Sequence, residues 1–88
     1  MIPKLTKARY EGDYRVWLEF QDAVQGIVDL ESELWGEMFE PLRDKAYFSQ
    51  IRFDHELGTI VWPNGADFAP EFLHERLRDN ERRSAVAR

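Results

Sequence analysis

Asp54-His55-Glu56 sets one imidazole between two carboxylates, the residue types of a general base or a metal-ligand group. Adjacent residues of a turn do not converge on one point. Asp54 can open a hairpin turn and Gly58 can supply its positive φ, so the triplet reads first as a solvated turn. The chain's other histidine, His74, has Glu71 and Arg78 at helical spacing and reads as half of an intrahelical polar contact. Two histidines without a His-Glu-x-x-His pattern, and no cysteine, leave no multi-histidine or thiolate metal site. No metal and no cofactor is expected. Glu31, Glu33, Glu37, Glu40 and Asp44 lack calcium-loop spacing and read as the wet face of a helix. Arg76, Arg78, Arg82 and Arg83 could touch nucleic acid, but Glu75, Asp79 and Glu81 beside them favour pairing along a helix. Phosphate loop, nucleophile elbow and dinucleotide fingerprint are all missing.

The tryptophans carry a different chemistry. Covering one exposed aromatic ring removes about 150–250 Å² from water, which makes it an anchor for a protein contact. Trp17 and Trp35 fall off the main apolar stripes and are the candidate partner-contact residues. Trp62 reads instead as a core anchor at the head of Trp62-Pro63-Asn64-Gly65-Ala66-Asp67, the most specific run in the chain. Within it Asn64 and Gly65, after Pro63, supply the positive-φ positions of a tight turn, and Asp67 suits an Asx contact or cap. Pro70 then suits the first position of a helix.

The elements that position these residues follow from periodicity. A loose strand pattern over 3–10 is followed by the turn signal Glu11-Gly12-Asp13. Tyr14, Val16, Leu18 and Phe20 alternate with Arg15, Trp17 and Glu19, a half-buried strand. After a turn at Gln21-Asp22-Ala23, residues 24–28 give a third strand, in which Gly26 signals a bulge or a close backbone approach. At Asp29 the period changes. Leu30, Leu34 and Met38, spaced by four, predict a short helix capped by Asp29, weakened by Gly36 and ended by Pro41. Residues 48–53 and 59–62 read as a second hairpin around 54–58, and Phe72, Leu73 and Leu77 as a helix over 70–77 or slightly beyond. The expected fold is α+β, a mainly antiparallel sheet of about five strands with two short helices packed on it.

Eighty-eight residues make one domain, taken as 1–77, with 78–88 as an Arg-rich, flexible tail. Net charge is −5, and residues 78–88 carry +2 of it against −7 for the rest. Such a chain repels phosphate backbones on average, so nucleic acid is not the expected partner. Hydrophobic residues at 43 % exceed the disordered range, which allows a filled core. The first seven residues hold no signal-like apolar stretch and no run of about 18 apolar residues occurs, so a cytoplasmic protein without membrane contact is expected.

The chain resembles a small, widespread bacterial group, domain-of-unknown-function family 2442. The matching residues are Phe20-Gln21-Asp22, Val28-Asp29-Leu30, Pro41-Leu42, Phe48, the run Ile60 to Asp67, Pro70-Glu71 and Leu73. The resemblance covers about residues 3–77 and implies an α+β domain, with no catalytic residues to transfer. Many members carry Gly after the Phe-x-Asp step where this chain has Ala23, a departure that bears on that turn and not on the fold. Some relatives carry a C-terminal helix-turn-helix domain. Eleven residues after position 77 are too few for one, so that role does not carry over.

Taken together, the sequence points to a non-enzymatic module that binds another protein or itself as a homo-oligomer. Two rival readings stand beside it. One is a nucleic-acid-associated or antitoxin-like accessory protein using the Arg tail; the other is a small enzyme using His55 or His74.

Overall fold

Val16, Leu18 and Phe20 point one way from a strand and are all but fully buried, while Arg15 and Glu19 point the other way. The period of two thus sets the central strand of the fold. In the computed structural model, which describes residues 3–86 and side chains over 3–79, that strand is β2 (Arg15–Phe20). It pairs antiparallel with β1 (Leu5–Tyr10) on one side and β3 (Gln25–Asp29) on the other. A second, two-stranded antiparallel sheet follows, β4 (Arg52–Asp54) with β5 (Thr59–Val61). The helices are α1 (Lys45–Phe48) and α2 (Pro70–Val86). The α+β class and the five strands are as expected, but the sheet divides three and two.

The helix predicted from Leu30, Leu34 and Met38 does not form. Residues 30–43 run instead through two 3₁₀ turns, Glu31–Glu33 and Glu40–Arg43. Leu30 and Leu34 are buried as their spacing requires, yet Met38 is 47 % exposed. Asp29 does accept a hydrogen bond from Glu31 N at 3.0 Å, but the turn it opens ends within three residues. Gly36 at φ +88° then takes the chain into the left-handed region, which no α-helix continues through. The first true helix, α1, begins later, where Asp44 accepts from Ala46 N.

Around β2 the core joins Val28, Leu30, Leu34, Leu42, Phe48, Ile60, Trp62, Leu73 and Leu77. The last two come from α2, which lies against β3. Gly26 is the point of contact: a Cβ there would sit 3.1 Å from Leu77 Cδ2. Of the two expectations for Gly26, close approach is the one realised. The register irregularity lies elsewhere, between Leu5 and Lys7.

Two turns share one hydrogen-bond pattern. At the end of β5, Gly65 N donates to Trp62 O and Trp62 N to Ala66 O; at the end of β2, Ala23 N donates to Phe20 O and Phe20 N to Val24 O. Both are three-residue hairpin loops whose last residue is left-handed. That position is Gly65 at φ +88° in one and Ala23 at φ +72° in the other. An L-residue with a Cβ pays about 1 kcal/mol there. Ala23→Gly should therefore stabilise the domain by about 1 kcal/mol, raising Tm by about 4–8 °C. Thermal denaturation of the two proteins checks this, and an unchanged or lower Tm would refute it.

Candidate functional site

Trp62 is 2 % exposed, and its Nε1–H donates to Phe48 O at 2.9 Å. Its ring meets Phe48 and Phe68. Pro63, Asn64 and Gly65 lie on the surface. Asn64 Oδ1 accepts from Ala66 N and its Nδ2 donates to Met38 O, so Asn64, and not Asp67, supplies the Asx contact. Asp67 bridges Val61 across the 63–65 turn, on the edge of β5 opposite β4, before α2 starts. Of the two positions expected at positive φ only Gly65 has it; Asn64 stabilises the turn through its side chain instead.

The histidines part company. His55 is exposed on the β4–β5 turn, its ring tilted against Phe53 with centroids 4.5 Å apart. Asp54 accepts from Glu56 N and Leu57 N, and Gly58 has φ +69°, the turn chemistry expected of that segment. The Leu57 N–H bond is the main reason the Asp54 carboxyl sits below its ordinary value. His74, by contrast, is not held within its helix. Its Nε2 lies 2.8 Å from Asp22 Oδ2 in the β2–β3 turn, and its ring meets Phe20 edge-on at 4.9 Å. An ionised carboxylate only accepts, so Nε2 carries the proton. A helical neighbour lost to a residue 52 positions away because α2 packs on β3.

Burial alone would raise the Asp22 carboxyl; the His74 hydrogen bond, the Val24 N–H and the His74 charge outweigh it, and the group lies below its ordinary value. A lowered folded-state pKa contributes stability above the unfolded value and loses it as pH falls through that range. The urea midpoint should therefore fall between about pH 5 and about pH 3, and Asp22→Asn should flatten part of that fall. Equal slopes for both proteins would refute a role for Asp22. The contacts described for His74 are a carboxylate and a hydrocarbon ring, which clamp the β2–β3 turn to α2. Among the described residues no three His, Cys, Asp or Glu converge on a metal-ion position.

Trp17 and Trp35 also differ. Trp17 is half-buried on the outer face of the three-stranded sheet, with the Arg9 guanidinium 4.9 Å over its ring and Ile27 opposite it in register. Trp35 is 73 % exposed. It stands at the lip of a cleft of about 280 Å³ lined by Glu33, Phe39, Asp67, Phe68, Ala69 and Phe72. Phe39 stacks on Phe68 at 4.8 Å and Phe68 on Phe72 at 5.6 Å, so three rings form one continuous wall. The segment bearing Trp35 is held in place from α2. Arg76 pairs with Glu33 at 2.8 Å and donates to Asp29 O and Ser32 Oγ. Arg43 Nη1 donates to Leu34 O at 3.2 Å. Larger depressions exist, notably one of about 520 Å³ lined by Glu37, Glu40, Pro41, Asp44 and Tyr47, but it is more open and has no wall of stacked rings.

Periodicity did not reveal Phe39 and Phe68 as site residues. The available signal was two bulky aromatics outside every stripe, Phe39 within residues 30–43 and Phe68 between β5 and α2. Arg76, one of the arginines considered for nucleic acid, is spent on Glu33, and Arg82, Arg83 and Arg88 lie outside the described side chains. No helix among the described residues is long and apolar enough to cross a membrane.

Residues 5–79 match the family described as Protein of unknown function (DUF2442). No curated protein and no solved structure matches the chain.

Proposed function

This chain belongs to the DUF2442 family, and on that footing we propose that it is a non-enzymatic interaction module whose contact face is the Trp35 cleft. One observation carries the reading: a 73 % exposed Trp at the lip of a wall of three stacked Phe rings. Exposing such a ring to water is unfavourable, and covering it is favourable in proportion to the area removed. Rigidity supports the same reading. Arg76 and Arg43 hold the loop that carries Trp35, so little conformational freedom is lost when a partner binds. His74 and Asp22 stabilise the scaffold in this reading, and no nucleophile is in described contact with the imidazole. Size-exclusion chromatography with light scattering, combined with capture from lysate by the wild type and by Trp35→Ala, tests it. A captured protein or a dimer that Trp35→Ala loses is the expected result. A strict monomer that captures nothing would overturn it.

A further inference from the structure

We propose that the occupant of the Trp35 cleft is a basic segment of a partner protein, anchored by an Arg or Lys side chain between apolar neighbours. This rests on the reading of the cleft as an interaction face and adds the chemistry of what enters it. The lining is aromatic: Trp35, Phe39, Phe68 and Phe72 surround the cleft, and the 73 % exposed Trp35 leaves its indole open to a cation drawn by the ring quadrupole. The rim is acidic. Glu33 and Asp67 line the opening and no Lys or Arg does. Glu33 is already matched by Arg76, but Asp67 takes part in none of the ion pairs among the described residues. A purely apolar occupant would strip water from Asp67 without giving it a partner, at a cost. A guanidinium satisfies both features, since it stacks on rings and pairs with carboxylates.

A second copy of this chain is the poorer occupant. A two-fold interface sets the same patch against itself. The acidic residues of two copies, each of net charge −5, would then be brought to one interface, and like charges opposed across an interface are costly.

Three capped peptides of alternating Leu and Xaa, with Xaa as Arg, Gln or Glu, serve as probes against the full chain. The readout is an NMR titration following the Trp35 indole and the Phe72 ring at low and high salt. The Arg peptide should shift both signals, bind more weakly as salt rises, and exceed the Gln peptide in affinity, while the Glu peptide should leave the cleft unperturbed. Asp67→Asn should lower affinity for the Arg peptide by about threefold, the scale of one rim charge pair. Glu40→Gln, on the separate acidic depression, should leave it unchanged. Equal affinities for the Arg and Gln peptides, shifts confined to the Glu37/Glu40 depression, or no binding at all would overturn the basic-partner inference. So would a concentration-dependent dimer that Trp35→Ala disperses, which would still uphold the interaction reading. Capture lost by Trp35→Ala but untouched by Asp67→Asn would likewise separate the two.

Discussion

Trp62→Ala should destabilise the domain by about 3–5 kcal/mol, the largest effect expected of any single change at the specific run. Small domains hold only about 5–15 kcal/mol in total, so the variant would be partly unfolded at ordinary temperature. The cost arises from position. Trp62 is 2 % exposed and its ring centroid lies 5.3 Å from that of Phe48 and 5.8 Å from that of Phe68. It therefore joins the second sheet to α1 and to the chain entering α2. Removing the ring leaves a cavity among aromatics that cannot collapse independently. Trp62→Phe separates packing from hydrogen bonding. It keeps most of the ring but loses the Nε1–H bond to Phe48 O. That carbonyl still accepts from Ile51 N at 3.2 Å, so the hydrogen-bond loss itself should cost only about 1 kcal/mol. Urea denaturation of the three proteins gives the ordering. A Trp62→Ala midpoint close to wild type would show that the aromatic cluster is not the keystone described here.

The second large effect is on binding and leaves stability alone. Trp35→Ala should weaken a cleft partner by about 30-fold, the scale of an aromatic hot spot. Stability should stay within about 0.5 kcal/mol of wild type, because the side chain is 73 % exposed and the loop is held by other residues. Acrylamide quenching offers a check before any partner is in hand. Of the three indoles, Trp62 is buried and Trp17 half-buried under Arg9, so most of the quenchable emission should belong to Trp35 and vanish in the variant. A variant that melts well below wild type would place Trp35 in the packing of the cleft rather than at its lip.

The same contrast between the tryptophans shows how far the chain could be read unaided. Alternation over residues 14–20 put Trp17 on the outer face, and the turn residues Pro63, Asn64 and Gly65 marked the reversal after β5. Both rest on forces between near neighbours: strand pleating, and the φ that proline fixes and glycine permits. The departure at Ala23 was visible only through the family resemblance, and its left-handed conformation, φ +72°, came from the structure.

Where neighbours in sequence disagreed with neighbours in space, space won. Leu30, Leu34 and Met38 have helical spacing, yet Gly36 turns the chain and only two of the three reach the core. His74 has charged neighbours one helical turn away on either side, but packing of α2 on β3 delivers Asp22 to 2.8 Å. The cleft itself joins Trp35 and Phe39 to Phe68 and Phe72 across about thirty residues of intervening chain, and no local pattern encodes that meeting. Strand alternation and turn chemistry determined an α+β domain. Which tryptophan faces water, and what surrounds it, depended on long-range burial, because the hydrophobic effect is non-directional and chooses contacts by area and not by spacing.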